Sequence, residues 1–275
     1  MRYEESTSQL YEGFNAFYRC FVAEPQRGVV VGVRGFCEHS GRYADFGRFL
    51  AENGFTFCMH DLRGHGRSAG SDDRGFVRDF ELFVRDVGAF IEFASRRYGA
   101  ESVHFLGHSM GGLIAVYYRN DREGLRTLMT SGAAVYLAPP PLSQRLGMSL
   151  LSALRPRARV QLPIDPRELL IDESVGKAYM EDQLVAKDPT ARLIYELYRG
   201  LREVWRYVNR VTVLMLILHG KDDRVVSPEA SERLYRAIQS KDKRLITFEG
   251  MKREILSERI KAAAYKEVLG WLSSH

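Results

Sequence analysis

The sequence lacks the features of a membrane-spanning or secreted chain. No apolar run in its 275 residues approaches the roughly 20 residues that a membrane-spanning helix needs. The first residues, "MRYEESTSQLYEG", are polar and acidic and do not contain the apolar segment of a signal peptide. We therefore expect a cytoplasmic protein.

Cysteine is scarce. The three cysteines, Cys20, Cys37 and Cys58, do not have the spacing of a metal site. Their number is odd, which argues against a disulfide framework. We therefore expect neither a metal site built on cysteines nor a disulfide framework.

The pattern of a nucleic-acid-binding surface is also missing. The net charge is +5 and the isoelectric point is about 9.1, but the arginines are scattered. No stretch alternates basic residues with aromatic ones, so we expect no nucleic-acid partner. A mildly basic surface remains compatible with anionic lipids or acidic ligands.

Short apolar runs alternate with helical patterns over most of the chain. This alternation predicts an α/β protein with a mostly parallel central sheet flanked by helices. The predicted strands are "VVVGV" (29–33), "FTFCMHD" (55–61), "SVHFLGH" (102–108), "LRTLMTSGA" (125–133), "VTVLMLIL" (211–218) and "RLITF" (244–248). The run at 211–218 is apolar on both faces, so we expect it to be a central strand.

The alternation stops between residues 135 and 207, a segment that holds seven of the nine prolines. We interpret this segment as a helical cap inserted into an α/β core of residues 1–134 and 208–275. Its stretch at 143–159 places leucines beside arginines: Leu146, Leu150, Leu151, Leu154, Arg155, Arg157 and Arg159. Two interpretations stay open, a lid that contacts lipid or membrane and a helix packed on its own domain.

The pentapeptide "GHSMG" at 107–111 matches G-x-S-x-G between a predicted strand and a predicted helix. In this context the glycines allow a sharp turn that exposes Ser109 at a helix N-terminus as a nucleophile. The backbone N–H of Met110 then points to where an oxyanion forms. The alternative is a glycine-rich turn with an incidental serine.

A carboxylate follows the predicted strand at 211–218, as the order nucleophile, acid, base requires. Asp223 lies in the loop "HGKDDRVVSP", and Asp222 is the neighbouring candidate. For either residue, the alternative is a solvated carboxylate in a turn.

Five stretches spread over nearly the whole chain resemble the monoacylglycerol lipase and lysophospholipase group of α/β-hydrolases. They are "GFCEHSGRY" (35–43), "HDLRGHGRS" (60–68), "LGHSMGGLIA" (106–115), "LILHGKDDRVVSP" (216–228) and "FEGMKREIL" (248–256). The resemblance implies the α/β-hydrolase fold and hydrolysis of a lipid-like monoester through an acyl-enzyme. It implies no metal and no cofactor, and it implies a small lipid-like ester or acyl ligand as the partner.

The resemblance also assigns roles to individual residues. Ser109 is placed as the nucleophile and Asp223 as the acid. The backbones of Phe36 and Met110 are placed as the oxyanion hole. The residues of the loop that would meet the polar head of the substrate are Glu38, His39 and Arg42.

Two positions depart from the family pattern. The family has His-Gly before the oxyanion loop, where this chain has Arg34 and Gly35. The family's base is a histidine in a G-x-x-H context, where Gly250 is followed three residues later by Arg253. Arginine stays protonated, so Arg253 cannot accept the proton of Ser109. We expect Arg253 to pair with Asp223 instead.

Among the seven histidines, His39 is the one we would test as a replacement base, because it lies in the oxyanion loop. We expect His108 to point away from Ser109, and His219 to lie near Asp223. Two interpretations of Arg34 stay open: it points outward, or it forms an anion pocket with Arg253 and the Met110 N–H.

Loss of the base in a serine protease costs about 10⁶ in kcat. The sequence therefore predicts a hydrolase scaffold that is inactive or severely impaired. The alternative is a non-catalytic binder of fatty-acid carboxylate or another anionic lipid-like ligand.

Overall fold

The computed structural model describes residues 1–118, 124–161, 173–257 and 260–275. Its strands are β1 (Arg2–Tyr11), β2 (Phe14–Val22), β3 (Gly28–Val33), β4 (Phe55–His60), β5 (Val103–His108), β6 (Leu125–Ser131), β7 (Leu214–Gly220) and β8 (Lys243–Phe248). The helices of the described residues are α1 (Ala44–Glu52), α2 (Glu81–Arg97), α3 (Met110–Tyr118), α4 (Leu142–Leu154), α5 (Glu173–Glu181), α6 (Ala191–Glu203), α7 (Glu229–Ala237) and α8 (Ala262–Ser274).

The strands form one eight-stranded sheet in the order β1-β2-β4-β3-β5-β6-β7-β8. Every neighbouring pair from β4 to β8 is parallel, while β1 and β2 join antiparallel at one edge. The prediction of a mostly parallel sheet with flanking helices is thus confirmed. β7 is buried on both faces as predicted, but it is the penultimate strand rather than a central one.

Side chains on the two faces of the sheet form two hydrophobic clusters. Along β3, Val29, Val31 and Val33 join one cluster and Val30 the other, as the alternation of side chains in a strand requires. Helices α2, α3 and α7 cover the first face, and α1 and α8 cover the second. None of the helices in the described residues is long and apolar enough to cross a bilayer.

The N-terminal hairpin β1–β2 is absent from the sequence-based prediction. Its inner strand β2 pairs with β4 so that Cys20 lies opposite Cys58, and these two cysteines form a disulfide. Cys37 is free and buried. The odd cysteine count argues against a disulfide framework but did not reveal this single pair, because register across antiparallel strands brings together cysteines 38 residues apart.

Helices α4, α5 and α6 fall within the segment 135–207. Residues 162–172 of that segment lie outside the described residues. The described part contacts the core at the oxyanion loop, where the Ala186 N–H donates to the Cys37 carbonyl at 3.0 Å. The boundaries of a cap and a core stay a prediction.

Candidate active site

Ser109 stands on a strained turn between β5 and α3. Its φ is +53°, a left-handed value that is uncommon for a residue with a side chain. A Cβ on Gly107 would overlap the Gly111 carbonyl, and one on Gly111 would overlap the Val33 carbonyl. Both glycines of G-x-S-x-G are therefore needed for the close approach of backbone to backbone, as expected for a nucleophile elbow.

The start of α3 and the loop after β3 lie side by side at Ser109. Met110 is the first residue of α3, so its N–H has no acceptor within the helix. A Cβ on Gly35 would lie 3.2 Å from the Ser109 Cβ, which brings the Phe36 backbone close to the same point. The two predicted oxyanion residues thus occupy neighbouring segments.

Asp223 is buried in the loop after β7, whereas Asp222 is exposed. One oxygen of Asp223 accepts the N–H groups of Val225 and Val226, each at 2.9 Å. Its other oxygen lies 3.2 Å from the His219 Nε2. Burial opposes ionisation, but the His219 hydrogen bond and the neighbouring Arg253 charge hold the pKa of Asp223 below its usual value. The geometry therefore favours Asp223 over Asp222 as the acid.

Arg253 lies between the serine and the acid. Its Nη1 is 3.3 Å from the Asp223 Oδ2, and its Nη2 donates to the Ser109 Oγ. The side chain is only 7% exposed. The predicted pairing with Asp223 is present, and the guanidinium occupies the place between acid and nucleophile that a base would need.

Close backbone packing holds the loop that carries Arg253. A Cβ on Gly220, the last residue of β7, would overlap the Lys252 and Met251 carbonyls. The Asp222 N–H donates to the Met251 carbonyl at 2.9 Å. Position 253 is thus directed at the serine by main-chain contacts that do not depend on its own side chain.

Two histidines that the sequence places near the site, His39 and His219, are each held by other partners. The His39 Nε2 lies 2.7 Å from the Asp182 Oδ2, and its Nδ1 accepts the Gly41 N–H at 3.2 Å. Both nitrogens of His219 are also engaged, with Ser231 and with the Val226 carbonyl. The Asp182 carboxylate, just beyond the C-terminal end of α5, therefore holds His39, and this contact does not support a role for His39 as the replacement base.

A buried ionic cluster adjoins the site. The His108 Nε2 lies 3.1 Å from the Glu254 Oε1 and its Nδ1 lies 3.1 Å from the Ser131 Oγ, so partners other than Ser109 engage both ring nitrogens. Glu38 is buried beside them and accepts the Tyr43 hydroxyl at 3.1 Å. Burial and the Glu254 charge raise the pKa of Glu38. Burial would also raise the pKa of Glu254, but the His108 charge lowers it to about 2.

One ligand atom from each of Glu38, His108 and Glu254 could approach a metal, since these atoms lie within 4.8 Å of one another. Burial would lower the pKa of His108, but the Glu254 charge raises it. A raised pKa favours the protonated imidazole, which has no lone pair for a metal, so we describe the cluster as an ion-pair network. The sequence analysis gave no role to Glu254, although it directly follows Arg253 in the matching stretch.

Arg34 is fully buried, so the interpretation that it points outward is wrong. Its Nη1 donates to the Gly35 carbonyl, and no described residue hydrogen-bonds its Nε or Nη2. The structure gives no contact between Arg34 and Arg253. Arg42 lies with its guanidinium 4.7 Å from the centre of the Tyr179 ring and 4.0 Å from the Glu254 Oε2. The head-group roles of Glu38, His39 and Arg42 stay predictions.

The chain is similar to known serine hydrolases over most of its length. The model of a family described as serine aminopeptidase, S33, matches residues 24–260. Human monoglyceride lipase is 30% identical over 245 residues, which cover 87% of this chain and 80% of that protein. The monoacylglycerol lipase of Mycolicibacterium smegmatis is 29% identical over 258 residues, covering 90% and 89%. The crystal structure of Paleococcus ferrophilus monoacylglycerol lipase gives a TM-score of 0.84 at 28% identity, covering 94% of this chain and 99% of that one.

Proposed function

Since the chain belongs to the serine aminopeptidase S33 family of α/β-hydrolases and is monoacylglycerol lipase-like, we propose that it carries a serine ester hydrolase site whose turnover is severely reduced by Arg253. The substrate class is a monoacylglycerol-like or lysophospholipid-like ester. Ser109 is the nucleophile, Asp223 is the acid, and the Phe36 and Met110 N–H groups bind the oxyanion.

One observation carries the proposal: the Arg253 guanidinium donates to the Ser109 Oγ while it pairs with Asp223. A hydrogen bond donated to the serine oxygen occupies one of its lone pairs, and the guanidinium has no lone pair that could accept the hydroxyl proton. Under this proposal the chain keeps the elbow and the acid but lacks the base that takes the serine proton and later gives it to the leaving group.

The test is the Arg253→His variant, assayed for release of p-nitrophenol from a short-chain ester. Since loss of the histidine costs about 10⁶ in a serine protease, we expect the variant to gain about 10³-fold or more in kcat/KM. The matched control is Arg253→His combined with Ser109→Ala, which should lose that gain. Brisk turnover by the unaltered chain, or no gain in Arg253→His, would contradict the proposal.

Labelling by a serine-directed fluorophosphonate separates a missing base from a misfolded elbow. We expect the unaltered chain to label slowly and Arg253→His to label rapidly, with no labelling after Ser109→Ala. Equal labelling rates in the first two would mean that Arg253 does not restrain the serine.

A second candidate function is binding of a fatty-acid carboxylate without turnover. It is favoured by the Arg253 cation lying beside the first N–H of α3, since helix N-termini and guanidinium groups both bind carboxylates. We expect oleate to bind the Ser109→Ala variant and to bind Arg253→Leu at least about tenfold more weakly. Equal affinity in both variants would exclude this function.

The exposed face of α4 supports contact with a lipid surface. Leu142, Leu146, Leu150 and Leu154 recur every four residues, and each is more than 60% exposed. Exposed arginines, Arg145 and Arg155, lie on the same helix and at its end. An apolar stripe flanked by cations is the pattern of a helix that lies on an anionic membrane.

Co-sedimentation with phosphatidylcholine vesicles, with and without phosphatidylglycerol, tests this contact. We expect the double variant Leu146→Ser, Leu150→Ser to bind vesicles roughly tenfold or more weakly, because two leucine side chains that would enter the bilayer are removed. Ile260→Ser, an exposed apolar residue outside α4, is the control and should bind as the unaltered chain does. Binding that is the same in all three proteins would contradict a role for α4.

A further inference from the structure

A cavity of about 570 Å³ opens next to the turn between β1 and β2. The turn residues 11–15, the loop residues 63–78 and the start of α2 form its walls, together with Arg157 from the segment 135–207. This volume lies within the usual range of small-molecule sites. Ser109, Asp223 and Arg253 do not line it, so it is separate from the candidate active site.

Arginines lie against aromatic rings around this cavity. The distance from guanidinium carbon to ring centre is 4.5 Å for Arg63 and Phe14 and 4.0 Å for Arg85 and Tyr11. Stacking orients both guanidinium groups; the N–H edge of Arg63 is taken by Asp86 and the Tyr11 hydroxyl, and that of Arg85 is left for an anion. The walls thus combine fixed cations with flat apolar surface.

Not all of the positive charge is matched by carboxylates. Arg63 pairs with the buried Asp86 at 2.9 Å, and Arg157 pairs with Asp73 at 2.9 Å. Arg78 and Arg85 also line the cavity, and neither has an ion pair within the part of the chain that the structure describes.

The remaining acidic residue of the lining is Glu12, which is exposed at the tip of the hairpin. Water screens an exposed carboxylate strongly, so Glu12 reduces the positive potential of the cavity only weakly. Two guanidinium groups therefore remain available to a ligand in a concave site.

We propose that this cavity binds a small phosphate monoester that carries a flat ring. The phosphate meets Arg78 and Arg85, because guanidinium groups recognise phosphate through paired N–H donors. The ring lies against the wall formed by Tyr11, Phe14 and the stacked arginines. The site goes beyond the hydrolase function, since it shares no residue with the serine site.

Calorimetric titration with AMP as the probe tests the proposal, with adenosine and inorganic phosphate as comparison ligands. We expect AMP to bind in the micromolar to low millimolar range, adenosine to bind at least about tenfold more weakly, and phosphate to compete with AMP. Raising the salt concentration should weaken AMP binding, because its charge is screened.

Variants locate the binding. We expect Arg78→Ala with Arg85→Ala to weaken AMP at least about tenfold, and both side chains are exposed, so the fold should tolerate the change. Arg233→Ala with Arg236→Ala, two exposed arginines on α7, is the matched control and should leave AMP affinity unchanged, as should Ser109→Ala. The proposal is overturned if AMP does not bind up to about 10 mM, if adenosine binds equally well, or if the Arg78 and Arg85 changes have no effect.

Discussion

The pKa of Glu254, and with it the contribution of Glu254 to stability, depends on its ion pair with His108. Glu254 is buried, and its 3.1 Å ion pair with His108 is closer than its 4.0 Å contact with Arg42. Burial would raise the pKa of Glu254, but the His108 charge lowers it to about 2. The ionised Glu254 therefore stabilises the fold above its ordinary pKa near 4.5, and this stabilisation is lost as pH falls through the lowered pKa. The pKa of His108 is raised, so its contribution is present below its ordinary value near 6.5 and lost as pH rises past the raised value.

We therefore predict that Glu254→Gln is most destabilising between about pH 4.5 and 6.5, the ordinary pKa values of the two side chains. Urea unfolding at about pH 5.5 should show a loss of about 3 kcal/mol in the free energy of unfolding, because a buried charge loses its partner. As pH rises past the raised pKa of His108 the loss should become smaller, since the imidazole then becomes neutral. Glu249→Gln, on the exposed part of the same loop, should change little at either pH. A penalty for Glu254→Gln that does not vary with pH would contradict the ion pair.

Residue types with fixed chemistry could be read from the sequence, and contacts that depend on long-range packing could not. Ser109 followed from its motif and Asp223 from the chain order of nucleophile and acid. The place of Arg253 followed from the family resemblance, and the structure brings the three residues together. Glu254 and His108 are 146 residues apart, and no local pattern links them. The orientation of Arg34 could not be predicted, because the sequence does not show which side chains of a loop become buried.

At the scale of elements, the junction of β7 with the loop after β8 positions the site. Gly220 ends β7, and only the absence of a side chain there allows the Lys252 carbonyl to approach. In the same loop, the Met251 carbonyl accepts a hydrogen bond from the Asp222 N–H. Strand pairing and a single glycine thus determine where position 253 lies.

We predict that Gly220→Ala lowers the free energy of unfolding by about 1–3 kcal/mol, because backbone must move to admit a Cβ. The matched control is Gly270→Ala on the exposed side of α8, where a Cβ meets nothing within 4 Å. That change should stabilise the protein by up to about 1 kcal/mol, since alanine favours a helix over glycine. Urea unfolding measures both. If Gly220→Ala is as harmless as Gly270→Ala, the loop is not held by this contact.

The buried parallel strands were predicted within a few residues, since short apolar runs bounded by turns are typical of strands buried on both faces. β1 and β2 were missed for different reasons. β1 is a polar edge strand with mostly exposed side chains, so it carries no apolar signal. β2, "FNAFYRCFV", is rich in aromatic residues and could have been recognised from that composition.

At the scale of the whole molecule, the two tryptophans report on different faces of the sheet. Trp205 packs against the first hydrophobic cluster, and its indole N–H donates to the Val135 carbonyl at 2.9 Å. Trp271 is buried in the second cluster, within α8. Both clusters are built on the same strands, so the faces should lose their structure together.

We predict that Trp205→Phe and Trp271→Phe each unfold in a single transition. In each variant the remaining tryptophan's fluorescence and the far-ultraviolet circular dichroism should give melting midpoints within about 2 °C of each other. If Trp205 fluorescence changes well before the circular dichroism does, the segment 135–207 unfolds independently of the sheet. Measuring both signals within one variant removes the effect of the substitution on overall stability.

The contact between Gly220 and the Lys252 carbonyl has a consequence for evolution. The main chain aims position 253 at the serine whichever residue occupies it. A histidine codon and an arginine codon can differ by a single base. Under the proposed function, a single point mutation at position 253 can therefore remove or supply the base that Ser109 needs.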